Sequence, residues 1–382
     1  MTKLTKKEII EKFLAKDKLL TPEALEILVN LEDVEKILEK ISKKGEVLIR
    51  KEDIEDVRVK AETMQNKVKI IRNILSKPVQ PTPETLTKFY ASKFEKMKNI
   101  IISRFSKDFV SIENIKYRKL AYIIGRVIDI ESFNSKTKIE LEDFSGAKEF
   151  VFDNETIPKD IQIDDIVLAC VTSNPYSENC FVGKEILYPD VPIRDPTKGY
   201  GKIAIISDLH LDEAPLERLE RFIDFFENSD IKFLIAVGDL GEKEKFLELF
   251  KKMKDKVIFL IPGERDSKDY PSLPLEIDGN DNIISLSNPS MIEINNIKIL
   301  LIHKFDISML KKRYLGKPRI IFEEDYLTLD EIPDIVACGY THQPEIINYK
   351  CTTIANPGSL LADFRPVIID LSTREYKQLK FD

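Results

Sequence analysis

The chain has 382 residues and a formal net charge of −7, from 59 Lys and Arg against 66 Asp and Glu. This length predicts two or three domains, and the acidic balance does not favour a protein that holds DNA by bulk electrostatics. No apolar run approaches the roughly 20 residues of a membrane span, and the first 20 residues contain no uninterrupted apolar region, so we expect a cytoplasmic protein without a membrane partner.

Short apolar stripes at helical spacing characterise the first part of the chain. They predict a small helical domain over residues 1–75. The segment 76–83 contains three prolines and cannot continue a helix, so it is predicted to be a linker. The residues of the three stripes are Ile9, Ile10, Phe13 and Leu14; Leu25, Leu28 and Val29; and Val34, Ile37, Leu38 and Ile41.

After a helix predicted near 84–105, the pattern changes to the period-two alternation of strands. Five short strands and an Asp-Phe-Ser-Gly hairpin resemble an OB-fold, a barrel that often binds single-stranded nucleic acid. We therefore predict a helix plus OB-fold over 84–192, with Lys116 and Arg118 as candidate DNA-binding residues. The alternative is that these two residues belong to a solvated basic turn and that the barrel contacts a protein instead of nucleic acid. The strands are expected at 122–130, 138–143, 148–152, 166–172 and 180–186.

From Gly201 onward, buried-type strands alternate with amphipathic helices. Helices are predicted at 216–227 and 244–254, and strands at 202–207, 233–237, 257–261, 297–302 and 334–338. Each strand is followed by carboxylate, histidine or other polar side chains, and ligands converge where strand ends meet in open α/β sheets. The residues expected at this edge are Asp208, His210, Asp239, Glu264, Arg265, Asp266, His303 and His342.

In this order the motifs resemble the metal frame of calcineurin-like phosphoesterases, whose strands end in Asp-x-His, Gly-Asp, Gly-Asn-His-Asp, His and Gly-His-x-His. The resemblance implies an α/β phosphoesterase sandwich over 193–382, and hence a multidomain α+β chain. It also implies two divalent ions, Mn²⁺ or Mg²⁺ with Fe²⁺ or Zn²⁺ as alternatives. The first ion is expected on Asp208, His210, Asp239 and His342, and the second, weaker one on Asp239, Glu264 and His303.

Three positions depart from that family pattern. Glu264 stands where the family has the asparagine, and Tyr340 stands where it has a metal-binding histidine. Arg265 replaces the histidine that is expected to orient the phosphate and protonate the leaving oxygen. A guanidinium stays charged and cannot exchange a proton as a general acid. We therefore expect Asp239, His303 and Arg265 at the reaction centre, with hydrolysis reduced or lost. The family usually continues His-Gly-Arg where this chain has His303-Lys304-Phe305. Lys304 is a candidate to replace that arginine as a phosphate contact.

A longer likeness covers nearly the whole chain. The segments 187–192, 309–315 and 323–335 resemble the small subunit of archaeal family D DNA polymerase. This resemblance implies a 3′–5′ exonuclease proofreading subunit in a heterodimer with a large polymerase subunit, reaching DNA through the holoenzyme. Two alternatives remain open: a non-catalytic scaffold subunit, and a stand-alone metallophosphoesterase or nuclease, which would be expected to keep the general acid.

Overall fold

The computed structural model describes residues 5–29, 34, 38, 41, 47–51, 53–54, 67–116, 119–173, 181–253, 255–277 and 282–381. It divides the chain into two compact units, Met1–Val68 and Lys69–Asp382. Within the described ranges, no helix combines the length and the apolar character that crossing a membrane requires.

The first unit contains helix α1 (Lys6–Leu14), strand β1 (Leu19–Leu20), helix α2 (Pro22–Val29) and strand β2 (Leu48–Ile49). Helix α1 begins with a capping box, since Thr5 N–H donates to the Glu8 carboxylate at 2.7 Å and its Oγ accepts from Glu8 N–H. Helices are confirmed at the first two of the three predicted stripes, whereas the parallel pairing of β1 with β2 was not predicted.

The buried face of α1 is narrower than its apolar stripe. Ile9 and Phe13, one turn apart, are fully buried, but Ile10 and Leu14 are 38% and 50% exposed. The third stripe packs into the same core, in which Val34, Leu38 and Ile41 are buried, while Ile37 lies outside the described residues. A helix this short buries one row of side chains, so apolar residues beside that row remain in contact with solvent.

The segment around the predicted linker belongs structurally to the second unit. Strand β3 (Val68–Arg72) forms an edge of a sheet in that unit. Ile74 is fully buried, and its N–H donates to Ser287 Oγ at 2.9 Å. Val79 N–H then donates to the Ile321 carbonyl at 2.9 Å. The prolines exclude a helix, as predicted, but extended backbone can still pair at a sheet edge, so the compact units divide near Val68 rather than at residue 75.

The position of the boundary near Val68 predicts where the chain can be shortened without loss of stability in the second unit. A fragment 67–382 is expected to unfold at the temperature of the second unit in the full chain. A fragment 84–382 lacks β3 and Ile74, and we expect it to lose at least about 2 kcal/mol, because burial of one isoleucine alone contributes roughly 1.5–3 kcal/mol. Thermal unfolding of the two fragments checks this, and equal melting temperatures would show that β3 contributes nothing.

The next elements are helix α3 (Pro83–Arg104), with Pro83 in its first turn, and a closed barrel. The barrel order is β4-β5-β6-β8-β7, in which β6 and β8 pair in parallel and the other neighbours pair antiparallel. All five predicted strands are confirmed. They are β4 (Ala121–Phe133), β5 (Lys136–Asp143), β6 (Gly146–Asp153), β7 (Ile166–Ser173) and β8 (Phe181–Leu187).

The rest of the second unit consists of two stacked sheets with helices α4 (Glu217–Asn228), α5 (Lys243–Phe250) and α6 (Ile307–Lys312). The predicted strands are confirmed; α5 ends four residues earlier than predicted. The strands, in chain order, are β9 (Lys202–Ser207), β10 (Phe233–Val237), β11 (Val257–Ile261), β12 (Ile283–Ser285), β13 (Ser290–Ile294), β14 (Ile297–Leu301), β15 (Ile335–Ala337), β16 (Glu345–Tyr349), β17 (Thr352–Asn356), β18 (Val367–Asp370) and β19 (Tyr376–Gln378).

The sheets have the orders β12-β11-β10-β9-β18-β19 and β16-β17-β15-β14-β13-β3 among the described strands. Strand β9 shows how they stack: Ala204 and Ile206 pack with the apolar faces of α4 and α5, whereas Ile203 and Ile205 pack with residues of the second sheet. Strands β9 to β12 run parallel, as do β14 and β15. Their carboxyl ends therefore present successive loops at one edge of each sheet.

Polar contacts join the barrel and α3 to the two-sheet domain. Lys312 on α6 donates to Asp165 Oδ2 of the barrel at 2.8 Å. Lys93 on α3 is buried, donates to the Asp164 carbonyl at 2.8 Å, and lies 4.0 Å from the centroid of the Tyr314 ring. Removing one partner of such buried pairs leaves an uncompensated polar group, so these contacts hold the two domains of this unit in one arrangement.

Candidate metal centre

Two adjacent turns follow the parallel strands β9 and β10. Asp208, His210 and Asp239 all have left-handed backbones, with φ of 51°, 46° and 49°. The turns are joined by hydrogen bonds from His210 N–H to the Asp239 carbonyl at 3.0 Å and from Asp208 N–H to the Gly238 carbonyl at 3.1 Å. Positive φ is uncommon for residues with a side chain, and such conformations concentrate at functional sites.

The loops after β14 and β15 complete the same edge. Gly339 N–H donates to the His303 carbonyl at 2.9 Å. Tyr340 and His342 also have positive φ, 72° and 57°, and Tyr340 N–H donates to Asp208 Oδ2 at 3.0 Å. The loop of the second sheet is thereby held against the first turn of the first sheet.

These loops bring four of the predicted residues together. Ligand atoms of Asp208, His210, Asp239 and His342 lie within 4.8 Å of one another, a group we call the cation cluster. His342 Nε2 is 3.2 Å from His210 Nε2 and 3.3 Å from Asp208 Oδ1. The first three side chains are buried and His342 is partly exposed, so the cluster opens to solvent on the His342 side.

Unpaired buried atoms test whether a cation fits. Ser207 Oγ and Tyr340 N–H both donate to Asp208 Oδ2, at 2.6 and 3.0 Å. Asp208 Oδ1 and His303 Nε2 have no hydrogen-bond partner within the described part of the chain. A buried polar atom left unpaired is costly, and a carboxylate oxygen facing imidazole nitrogens suits a divalent transition metal. The donor set therefore fits one divalent cation.

His303 lies beside the cluster with its ring orientation fixed. Its Nδ1–H donates to the Val237 carbonyl at 2.9 Å, which directs Nε2 at the carboxylates. Nε2 is 3.4 Å from Asp239 Oδ2 and 3.9 Å from Asp208 Oδ1. The structure thus places this predicted residue within reach of the cluster, on its Asp239 side.

Burial and charge shift the pKa values of the cluster residues in different directions. Burial opposes ionisation of Asp239, but the nearby His303 and the N–H of Arg265 outweigh it and lower its pKa to about 2. Burial, followed by the charge of Arg265, lowers the pKa of His210. Burial acts in the opposite direction on Asp208 and raises its pKa. Asp239 is therefore ionised and His210 neutral at neutral pH, as a metal ligand must be.

Arg265 contributes its backbone to the site and turns its side chain elsewhere. Its N–H donates to Asp239 Oδ1 at 2.9 Å. Its guanidinium donates to Glu213 Oε1 at 2.9 Å and lies 3.7 Å from Asp212 Oδ2. The hydrogen bond that Arg265 donates to Glu213 raises the pKa of Arg265 further, so no proton donor stands at this position.

The other two residues that depart from the phosphoesterase pattern, Glu264 and Tyr340, also have polar partners within the protein. Glu264 Oε1 accepts from Arg319 Nη2 at 3.0 Å, and Tyr340 Oη accepts from Lys304 Nζ at 3.1 Å. Neither side chain is part of the cation cluster. Glu213 and Arg319 were not identified from the sequence, because each lies more than fifty residues from its partner, at separations of 52 and 55, and no local pattern marks such a contact.

Of the three candidate DNA contacts, two can be located. Lys116 is exposed, shortly after the 3₁₀ turn Ile112–Asn114 that precedes the barrel, and Lys304 is exposed beside Tyr340. Arg118 lies outside the described residues.

Comparison with known proteins gives three results. Residues 202–371 match the calcineurin-like phosphoesterase superfamily domain. DNA polymerase II small subunit of Thermoplasma acidophilum is 24% identical over 93% of this chain and 86% of its own length, and that of Methanothermobacter thermautotrophicus is 24% identical over 71% of each. A solved structure of vacuolar protein sorting 29 from Cryptosporidium parvum is 17% identical over 48% of this chain and 97% of its own, with a TM-score of 0.32.

The polymerase relatives match across both the barrel region and the two-sheet domain, since the longer alignment spans 93% of the chain. The phosphoesterase match covers all the turns that form the cation cluster, from Asp208 to His342. The chain is therefore similar, over most of its length, to the small subunits of archaeal DNA polymerase II, and its residues 202–371 match the calcineurin-like phosphoesterase superfamily domain.

Proposed function

We propose that the chain is the small subunit of a two-subunit archaeal replicative DNA polymerase and that it binds the large catalytic subunit. The observation that supports this most strongly is the similarity, over 93% of the chain, to a relative that bears this name. The single compact unit 69–382 supports an assembly surface made of the barrel and the phosphoesterase domain, because two domains locked by buried contacts present a fixed surface to a partner. Co-purification with the large subunit tests the assignment.

We further propose that the barrel is an OB-fold. Its closed order β4-β5-β6-β8-β7, with the third and fifth strands parallel, supports this reading, since the OB-fold is a five-stranded Greek-key barrel. The proposed domains are a helix plus OB-fold over 84–192 and a phosphoesterase domain over 193–382, with 68–83 packed on the latter. Lys116 and Lys304 remain candidate DNA contacts, reached through the holoenzyme.

The cation cluster is proposed to hold one divalent ion, with Asp208, His210, Asp239 and His342 as ligands. When bound, such an ion polarises a phosphoryl oxygen and lowers the pKa of water. Asp239 is kept ionised by His303 and oriented by Arg265 N–H. His303 is fixed by the Val237 carbonyl. These residues bind and orient, but none of them replaces the missing proton donor at position 265.

From this arrangement we infer a low or absent 3′–5′ exonuclease activity for the chain itself. The three departures, Glu264, Arg265 and Tyr340, each have a polar partner in the protein. That observation favours the second candidate function, a scaffold subunit whose phosphoesterase domain keeps one cation site. A stand-alone nuclease is not favoured, because the general acid is absent.

One tight Mn²⁺ site per chain is the expected result of calorimetric titration. The cation cluster provides four ligands, whereas Glu264 and Tyr340 are engaged with Arg319 and Lys304 and are not available to a second ion. Asp239→Ala should remove the tight site, and Glu375→Ala, on an exposed turn, serves as the matched control for loss of a carboxylate. Two sites of equal affinity would show that Glu264 and His303 bind a second ion.

A further inference from the structure

A turn at the carboxyl end of β17, residues 356–360, lies beside the cation cluster without contributing a ligand to it; we call it the bridging turn. Two of its polar side chains are buried, since Asn356 is 5% exposed and Ser359 is 0% exposed. Burying an amide or a hydroxyl is costly unless the group is hydrogen-bonded. Both side chains donate their hydrogen bonds to the two loops that carry Asp208 and His342.

Backbone hydrogen bonds close the bridging turn on itself. Ser359 N–H donates to the Asp363 carbonyl at 3.2 Å, and Arg365 N–H donates to the Pro357 carbonyl at 2.8 Å. The ring of Pro357 restricts the backbone further, because it fixes φ. Asn356 and Ser359 therefore stand in a fixed relation to each other, and the two side chains act on their partners from one rigid element.

Ser359 holds the backbone of Asp208. Its Oγ donates to the Asp208 carbonyl at 3.0 Å, and Leu360 N–H donates to the same carbonyl at 3.0 Å. Asp208 has a left-handed backbone, a conformation that persists only where the surrounding structure over-determines it. Two donors on one carbonyl supply that support, so the bridging turn fixes the backbone from which the Asp208 carboxylate projects.

Asn356 holds the loop that carries His342. Its Nδ2 donates to the Gly339 carbonyl and to Thr341 Oγ1, both at 2.9 Å, while its Oδ1 accepts from Gly358 N–H at 2.9 Å. The partners fix the orientation of the amide, because a backbone carbonyl can only accept and a backbone N–H can only donate. Both amide donors are thus used to hold residues 339–342 against the end of β17.

The bridging turn thereby joins the two sheets at the cation cluster. Asp208 follows β9 of the first sheet, whereas His342 follows β15 of the second sheet. His342 Nε2 lies 3.3 Å from Asp208 Oδ1, so a small shift of either loop changes the space between two of the four ligands. Residues that orient metal ligands affect metal affinity nearly as strongly as the ligands do.

We propose that Asn356 and Ser359 are positioning residues of the cation site, which set the separation of Asp208 and His342 across the two sheets and thereby the affinity for a divalent ion. Neither side chain touches the ion. The inference deepens the proposed function and rests on its cation site. It gives a role to a buried asparagine and a buried serine that the metal motifs of the sequence do not include.

The test is calorimetric titration of the full, metal-free chain with Mn²⁺. Asn356→Ala and Ser359→Ala are each expected to raise the Kd of the tight site by about 10–100-fold, the range typical of residues that orient metal ligands. Ser359→Ala removes one hydroxyl and is the milder change. If Asn356→Ala does not fold, Ser359→Ala decides the outcome.

Two buried residues at the opposite ends of their strands provide matched controls. Asn295, just before β14, donates from Nδ2 to the Tyr200 carbonyl at 2.9 Å, and Thr352, the first residue of β17, donates from Oγ1 to the Pro333 carbonyl at 2.8 Å. Asn295→Ala and Thr352→Val each remove a buried hydrogen bond to a carbonyl, as the test variants do. They should lower stability and leave the Kd for Mn²⁺ unchanged.

Thermal unfolding with and without Mn²⁺ separates positioning from stability. A ligand stabilises the folded chain by an amount that depends on its Kd, so a fixed concentration of Mn²⁺ should raise the melting temperature less in Asn356→Ala and Ser359→Ala than in the controls. Thr341→Val removes the hydroxyl that accepts from Asn356. It should raise the Kd in the wild-type chain and have a smaller effect in the Asn356→Ala background.

Failure of this inference can be told from failure of the proposed cation site. A tight Mn²⁺ site that Asp239→Ala abolishes, but that Asn356→Ala and Ser359→Ala bind with the wild-type Kd, would overturn the positioning role alone. An equal rise of the Kd in Asn295→Ala and Thr352→Val would overturn it as well, because the effect would then follow stability. A wild-type chain without a tight Mn²⁺ site would overturn the proposed cation site, and this inference with it.

Discussion

The double substitution Arg265→His and Tyr340→His is expected to raise 3′–5′ hydrolysis of a DNA strand by up to about 10²–10⁴-fold, the range that a positioned general acid or base contributes. The side chain of Arg265 points to Glu213 and Asp212, whereas its backbone N–H holds Asp239. A histidine can therefore replace the guanidinium without removing the contact that orients Asp239. Release of nucleotides from 3′-labelled single-stranded DNA with Mn²⁺ measures the effect.

Adding Asp239→Asn to the double variant provides the control, since it removes a ligand of the cation cluster and should return hydrolysis to the level of the unsubstituted chain. The single variants separate the contributions, because Tyr340→His also removes the hydroxyl that holds Lys304. If the unsubstituted chain already degrades primer ends at a proofreading rate that Asp239→Ala abolishes, then Glu264 and Arg265 are functional substitutes and our inference of low activity is wrong.

Gly238→Ala should destabilise the phosphoesterase domain by about 2–5 kcal/mol. Gly238 has a φ of +74°, and a Cβ there would come within 2.6 Å of His303 Nδ1 and 2.7 Å of the Gly263 Cα. A left-handed backbone costs a residue with a Cβ roughly 1–2 kcal/mol, and overpacking adds typically 1–3 kcal/mol. The displaced His303 would also lose its hydrogen bond to the Val237 carbonyl, so Mn²⁺ affinity should fall with stability.

Gly201→Ala isolates the backbone contribution. Gly201 has a φ of +82°, but its Cβ would meet only Asn295 Nδ2, at 3.5 Å, an ordinary contact. The expected loss is therefore about 1–2 kcal/mol, with Mn²⁺ binding unchanged. Urea unfolding of both variants compares them, and an equal loss in the two would mean that crowding at His303 has no consequence.

Much of the site follows from the sequence because its chemistry is local to strand ends. Asp208 and Asp239 each come directly after, or within two residues of, a run of buried apolar residues, and parallel strands place such positions side by side. The same reasoning located His303 and His342. The barrel strands could be predicted from the sequence equally well, since period-two alternation persists through β4 to β8.

What the sequence did not show depends on contacts between distant residues. The pairing of β3 at a sheet edge, and the packing of Ile74 beside Ser287, require partners more than two hundred residues away, so a proline-rich segment was interpreted as a linker. The partners of Arg265 and Glu264 were missed for the same reason. Only the fold shows that Glu213 and Arg319 engage these two residues, and hence that both have ionic partners within the protein.

Co-purification with the polymerase large subunit tests the central claim most directly. The full chain and the fragment 67–382 are each co-expressed with a tagged large subunit, and the isolated complexes are assayed for primer extension. Because the barrel and phosphoesterase domain form one compact unit beyond Val68, we predict that both forms co-purify and that both complexes extend a primer. Loss of the complex with the fragment, together with binding of residues 1–66 alone, would contradict this account.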